Sequence, residues 1–404
     1  MIEDEKRHKH GAATRLVTAG RRPEWTGAVV NPPVWRASTH LYPNMAAHAE
    51  GPRHNEDGRF FYGRRGAPTQ WALADALTGL EEGAAGTVLY PSGVSAIAGV
   101  MLALLAPGDV VLIPDNAYDP SRAMGRGLLS DFGIEPRFYD PLDLAGFAAL
   151  FCERTRLVLL EAPGSLTMEV PDIPELARIA RDNGALSAMD NTWAGPLGFQ
   201  ALANGVDVVL HALTKHVGGH SDVMMGSASA GEELYQRLRK RAQSLGLVVS
   251  PDDAALALRG LRTLKIRVEN ETSSALEVAR WLSQRPEVAR VLCPMLPGAP
   301  GHDIWARDFS GGCGLFSFVM RGGTRASRDR FIDALELFGI GYSWGGFESL
   351  ATPVDPAPMR DVMAWPPGGL DPGDRYGVRL SIGLEDPADL MADCERAFAA
   401  MAGA

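Results

Sequence analysis

Cysteine is scarce in this sequence: its four residues, Cys152, Cys293, Cys313 and Cys394, stand far apart and form no Cys-x-x-Cys pair. That spacing argues against a structural zinc site and a disulfide framework, and it fits a reducing compartment. No run approaches the roughly 20 apolar residues that cross a bilayer. The opening stretch MIEDEKRHKHGAATRLVTAG is charged and lacks the apolar core of a secretion signal. A cytoplasmic chain without membrane association is therefore expected. Cationic excess is also missing. The 39 Lys and Arg against 49 Asp and Glu leave a net charge of -10, so there is no basic stripe for phosphate backbones and nucleic acid is not an expected partner. No Gly-x-Gly-x-x-Gly follows the first predicted strand, and no serine sits in a nucleophile elbow, which argues against a dinucleotide fold and a serine hydrolase. His216 and His220 are four apart, but Gly218 and Gly219 between them disfavour the helix a metal pair would need, so no metal is expected.

What the sequence does contain is the composition of an ordinary globular protein. Its 404 residues are 46% hydrophobic and 22% charged, enough for two domains with a large core. From about residue 68, helical and strand patterns alternate. PTQWALADALTGLEEG predicts a helix with Pro68 in its first turn and a stop at Gly83, and GVSAIAGVMLALLAPG a buried helix ended by Pro107 and Gly108. DVVLIPD, RLVLLEAP, ALSAMDN and the run Val206 to Leu210 read as buried strands, with PDIPELARIARDNG as an amphipathic helix. The expectation is an α/β fold with a mostly parallel sheet sandwiched by helices. After about residue 250 the texture becomes α+β, with GLFSFVM and YGVRLSIG as strands, and predicts a smaller C-terminal domain. The long Pro- and Gly-rich connection ATPVDPAPMRDVMAWPPGGLDPGDRYG is of the kind that forms lids or binding loops.

Four predicted strand ends carry chemistry. Lys215 follows the apolar run in VVLHALTKHVGGHSDVMMG, at the carboxyl end of a strand where open α/β sheets bind ligands. A lysine past a strand is ordinarily a surface group, but one partly desolvated there can condense with an aldehyde. LYPSGVSAIAG starts a helix through Ser92 and Gly93, whose free N–H groups suit a phosphate. Tyr118 in IPDNAYDPSR can stack on a planar ring. Asp190 in LSAMDNTWAGP can pair with a protonated pyridine nitrogen. Phosphate cup, stacking face, charge partner and imine amine are together what pyridoxal 5'-phosphate (PLP) requires of a protein.

In these residues the chain resembles the PLP enzymes of cysteine and methionine metabolism, along YGRRGAPTQWALADALTGLEEG, YPSGVSAIAG, MDNTWAGP, TKHVGGHSDVMMG and RLSIGLEDPADL. EAPGSLTMEV, HDIWARDFSG and YSWGGFESL make it most similar to the cystathionine β-lyase branch. The resemblance implies fold type I (aminotransferase-like) with a seven-stranded sheet of the type described. It divides the chain into an arm at 1–60 touching a neighbouring subunit, a PLP domain at 61–250 and a C-terminal domain at 251–404. It implies that Lys215 holds the cofactor aldehyde and acts as base, that Asp190 pairs with the ring nitrogen, and that Tyr118 stacks. Ser92, Gly93, Val94 and Thr214 would hold the phosphate, joined by Tyr62 and Arg64 of a neighbouring subunit, so that a homo-oligomer, a dimer of active dimers, is expected. Arg379 would clamp the α-carboxylate of an amino-acid thioether, with Ser343, Trp344 and Tyr62 beside it. The chain departs from relatives at Ala67, Ala162, Ala212 and His216, where asparagine, serine, serine and tyrosine are frequent. The implied reaction is β-elimination of L-cystathionine to homocysteine, pyruvate and ammonia. Cystathionine or methionine γ-lyase, a γ-replacement synthase, a cysteine-conjugate C–S lyase and a catalytically silent PLP-binding protein are the alternatives.

Overall fold

The structure, a computed structural model, describes residues 10–53 and 58–402. Residues 1–9 and 54–57 of the expected arm, and 403–404 at the other end, lie outside the described residues. The strands in chain order are β1 (Gly86–Tyr90), β2 (Val110–Pro114), β3 (Glu135–Tyr139), β4 (Thr155–Glu161), β5 (Leu186–Asp190), β6 (Val208–Ala212), β7 (Gly226–Ala230), β8 (Val288–Leu292), β9 (Leu315–Met320), β10 (Gly339–Ile340), β11 (Leu350–Val354) and β12 (Gly377–Ser381). The chain forms two compact units, each of interleaved segments. One runs up to Leu104 and takes in Gln200–Ala203 and Asp207–Lys265; the other holds Leu105–Phe199, Asn204–Val206 and the chain from Ile266. The arm, PLP-domain and C-terminal divisions at residues 60 and 250 count consecutive residues, whereas these units are discontinuous, and we keep that division as a proposal.

In the first unit the strand order is β1-β7-β6, with β7 antiparallel to both neighbours. The sequence of β7, GSASA, is small because the space is small: a Cβ at Gly226 would lie 2.4 Å from the Ser92 carbonyl oxygen. Its pleat also carries Ser229, whose Oγ lies 2.7 Å from Thr87 Oγ1 of β1. The helix Pro68–Thr78 begins as expected at Pro68, with the Ala67 N–H donating to Gln70 Oε1 at 3.1 Å. It does not continue to Gly83. Gly79 caps it after Thr78, and the chain then turns to bury Leu80 and set Glu81 Oε1 2.6 Å from His211 Nε2 in β6. A buried carboxyl that finds a partner only out of helical register outweighs one more turn of helix.

The second unit carries β5-β4-β2-β3, all parallel. Every residue of β2 is buried, which explains its unbroken apolar run. Between β4 and β5 runs the expected amphipathic helix, Ile173–Asp182, with the Asp172 carboxylate accepting the Glu175 N–H at 3.1 Å and Ile173, Leu176, Ala177 and Ala180 turned inward. The same unit holds a five-stranded sheet in the order β10-β11-β12-β9-β8. Phe316 and Phe318 of β9, with Phe331 and Phe398, are almost wholly buried.

Candidate active site

Each unit collects part of the expected set. In the first, β6 ends at Ala212, and the chain enters a turn in which the Lys215 N–H donates to the Ala212 carbonyl at 3.1 Å. Lys215 is half-buried. Thr214 is fixed to Met225 by three bonds: its N–H and Oγ1 each donate to the Met225 carbonyl at 3.2 Å, and the Met225 N–H donates to Oγ1 at 3.0 Å. Gly226 follows Met225 and packs on Ser92, so Thr214 and the start of the helix Gly93–Leu104 are tied through β7.

That helix start is built tightly. The Ser92 N–H donates to Ser95 Oγ at 2.8 Å and the Ser95 N–H to Ser92 Oγ at 3.1 Å, a reciprocal cap. It leaves the N–H groups of Gly93 and Val94, which no intrahelical carbonyl can accept. A Cβ on Gly93 would come within 2.8 Å of Ala212 Cβ. The glycine is thus required, and Ala212, one of the departures from the family pattern, is what packs against it. Tyr62 and Arg64 lie exposed in the same unit, with Arg64 Nη1 donating to the Gln243 carbonyl at 3.2 Å. His216 is buried and His220 Nδ1 lies 2.9 Å from the Gly218 carbonyl; both occupy a turn, not a helix.

In the second unit Asp190 ends β5. Its Oδ1 accepts the Thr192 N–H at 3.0 Å and the Thr192 hydroxyl at 2.5 Å, which fixes the carboxylate's orientation. Tyr118 stands just before the helix Asp119–Met124, and its N–H donates to Glu161 Oε2 at 2.8 Å. Burial raises the pKa of the Tyr118 phenol above its ordinary value, and the nearby charges of Asp190 and Glu161 push it the same way, while Arg379 opposes them. Arg379 belongs to β12, an interior strand, and donates through Nη2 to the Ser343 carbonyl at 3.1 Å. Burial brings its guanidinium down to about 10. Ser343 has φ of +87°, a left-handed conformation that costs a serine energy and recurs at functional sites. Trp344 follows it, half-buried. Tyr118 and Arg379 line a cavity of about 650 Å³.

Sequence reasoning missed three groups here. Ser95 was legible as Ser-x-x-Ser before an apolar run. Thr352, paired across β11 and β12 with Arg379, lines the same cavity and has a buried Oγ1 without a hydrogen-bond partner; nothing in sequence spacing betrays a cross-strand neighbour. Glu161 pairs in register with Asp190, and burial, with Asp190's charge adding to it, holds its carboxyl well above the usual range. A raised carboxyl pKa means that the folded state keeps a proton the unfolded chain gives up. The stabilisation is complete below pH 4.5, the ordinary value, and is lost as pH rises from there toward the folded-state value. Glu161→Gln, which cannot ionise, is therefore expected to gain thermal stability relative to the parent as pH is raised from 4.5 through neutrality. Melting curves across that range test this; a difference independent of pH would refute it.

Residues 13–399 match the family described as Cys/Met metabolism PLP-dependent enzyme. The chain belongs to that family. It is 45% identical to a putative cystathionine beta-lyase of Rhizobium johnstonii over 96% of each chain, and 41% identical to a cystathionine beta-lyase of Escherichia coli K12 over 96% of this chain and 98% of that one. Among solved structures it is similar to the cystathionine gamma synthase of Xanthomonas oryzae in complex with aminoacrylate and cysteine, with a TM-score of 0.87 and 33% identity, covering 97% of this chain and 98% of that one. The enzyme is PLP-dependent and has the fold type I expected from its sequence. Its residues fit that cofactor. Gly93 lets the helix start pack closely on Ala212, and the uncommitted N–H groups of Gly93 and Val94 at that start suit a phosphate. The oriented carboxylate of Asp190 suits a protonated ring nitrogen.

Proposed function

We propose that the enzyme is a carbon–sulfur lyase acting on L-cystathionine by β-elimination. The observation that carries this reading is the bond from Arg379 to the Ser343 carbonyl, which sets the carboxylate clamp one residue from the bulky Trp344 of YSWGGFESL. The similarity to relatives named as cystathionine beta-lyases supports it. In this reading Lys215, Thr214, Ser92, Gly93 and Val94 serve the same cofactor as Asp190 and Tyr118. Bound PLP supplies a ring that withdraws the electrons left on the substrate α-carbon. Asp190 favours the protonated state of the ring nitrogen, and Tyr118 provides its stacking face. Arg379 holds the α-carboxylate. Lys215 Nζ removes the α-proton and returns a proton to the departing sulfur, with Tyr118 as the alternative donor. The C–S bond on the β-carbon breaks, homocysteine leaves as the thiol, and the three-carbon fragment takes up water to give pyruvate and ammonia.

Tyr62 and Arg64, exposed in their own unit, are available to a second copy of the chain, and we assign them to the neighbouring subunit's phosphate, with Tyr62 also near the substrate. That assignment carries the homo-oligomer, a tetramer of two active dimers, with it. Among the described residues no helix is long and apolar enough to cross a membrane.

A γ-directed reaction is the second reading, favoured by the likeness to the Xanthomonas oryzae synthase. The products separate the two. Incubation of the PLP-loaded enzyme with L-cystathionine is expected to release pyruvate and homocysteine in equal amounts. Release of 2-oxobutyrate and cysteine would transfer the enzyme to the γ-reading, and no keto acid at all would remove cystathionine cleavage.

A further inference from the structure

Beyond Tyr118 and Arg379, the cavity runs within the same unit to a wall built partly by the connection between β11 and β12. Its segment around residues 356–363 is strapped down and not free to swing as a lid. Asp115, buried just past β2, accepts the N–H groups of Asp361, Val362 and Met363 at 2.7 to 3.1 Å, and the Arg122 guanidinium at 2.8 Å. Arg360 is drawn inward to Glu169 Oε1 at 3.0 Å and to the Thr167 hydroxyl. Asn116 Nδ2 donates to the other oxygen of Glu169 at 3.3 Å.

Three cavity-lining residues on this wall keep a buried polar atom without a hydrogen-bond partner, Arg122 Nε, Arg360 Nη1 and Asn116 Oδ1, and the last two supply a donor and an acceptor. Buried polar groups are costly to leave unpaired, so a donor and an acceptor orphaned together need an explanation. The side chain of Arg360 is only 3% exposed, so rotation into solvent does not supply one. Formal charges on the wall are matched, three cations to three anions: Arg360 faces Glu169, Arg122 faces Asp115, and Arg126 faces Asp361. A net anion or cation would upset that balance, whereas a zwitterion would not. Leu166, Ile340, Pro356 and Met359 line the cavity as well and offer an apolar surface to a thioether chain. Leu166 is held at φ +68°, in a turn where the Ser165 N–H donates to the Asn116 carbonyl at 2.8 Å and the Leu166 carbonyl accepts Ser317 Oγ at 2.6 Å. Strain of this kind in a non-glycine residue recurs at ligand sites.

We propose that this wall receives the far end of the thioether substrate, a zwitterionic amino-acid group, with Arg360 Nη1 meeting its carboxylate and Asn116 Oδ1 its ammonium. Arg360 and Asn116 are then specificity-determining residues, and the inference rests on the C–S lyase reading. Two substrates with the same scissile bond test it: L-cystathionine, which has the far amino-acid group, and S-propyl-L-cysteine, which ends in a methyl. In the PLP-loaded enzyme the ratio of kcat/KM for cystathionine over S-propylcysteine is expected to fall about tenfold or more in Arg360→Met, chiefly through KM for cystathionine. Arg360→Lys keeps a charge opposite Glu169 but lacks the guanidinium's second nitrogen, and it is expected to lower the ratio too, which preserves the test if the methionine variant does not fold. A purely structural role for Arg360 would depress both substrates alike; an unchanged ratio in either folded variant overturns the proposal and leaves the lyase standing. Failure of the parent enzyme to release pyruvate from either substrate overturns the lyase reading and the proposal with it.

Discussion

Lys215→Ala is expected to lower kcat for cystathionine cleavage by on the order of 10³- to 10⁴-fold and to abolish the visible absorption of lysine-bound cofactor. The size follows from the two duties assigned to one amine. Loss of a positioned general base alone typically costs 10²- to 10⁴-fold, and the variant also loses the amine that anchors the cofactor aldehyde. The loss should not extend to the fold. Lys215 is half-buried in a turn, and its backbone contacts, the N–H to Ala212 and the carbonyl accepting the Gly219 N–H at 2.8 Å, do not depend on the side chain. The helix start at Ser92 and Gly93 and the turn at Thr214, proposed to hold the phosphate, are likewise untouched. The variant should therefore melt like the parent while giving up PLP on dialysis more readily. Circular dichroism, an absorption scan and a stopped pyruvate assay on the same sample check all three. A variant retaining a tenth of the parent's kcat would remove Lys215 from the proton-transferring role.

How much of this was legible in advance differs between elements for physical reasons. Buried parallel strands such as β2 and β4, and the amphipathic helix Ile173–Asp182, announce themselves because both depend on where apolar side chains fall. β7 gave no such signal. GSASA is chosen for closeness to Ser92 and Thr87, and small polar residues read as a loop when the neighbour that demands them is far off in sequence, as Ser229 is from Thr87, 142 positions away. β3, with its half-exposed EPRFY, is an edge strand and lacked an apolar run for the same kind of reason. The helix after Pro68 stopped early because Glu81 had a distant partner in His211. The candidate site divides in the same way. Lys215, Asp190, Tyr118 and the Ser92-Gly93 turn each sit at or just past a strand end, where residue type and local pattern suffice. Glu161, Thr352 and Arg360 owe their positions to register between strands or to a long connection folding back, and no window of sequence contains both partners.

Arg379→Leu is expected to reduce kcat/KM by about 2–5 kcal/mol, roughly 30- to several-thousand-fold, as truncating one partner of a buried hydrogen-bonded charge pair does. At neutral pH the guanidinium is cationic even though burial brings it down to about 10. Its Nη2 already serves the Ser343 carbonyl, which fixes the plane of the group and leaves the remaining N–H fork for a substrate carboxylate. Thr352, opposite it across β11 and β12, adds a hydroxyl that has no protein partner. Because a carboxylate carries the same charge in the bound substrate and in the transition state, the loss should fall mainly on KM, with kcat less affected. Arg379→Lys should recover only part of it, since an ammonium cannot hold Ser343 and a two-oxygen carboxylate in one plane. Stability should move the other way. The guanidinium is a buried cation facing no carboxylate strong enough to offset its desolvation, burial being the largest influence on it, so leucine of similar bulk should leave the melting temperature unchanged or raise it. A rise in KM with an unchanged or higher melting temperature identifies a substrate clamp; a fall in both kcat and melting temperature at unchanged KM would make Arg379 a structural residue of the β-sheet.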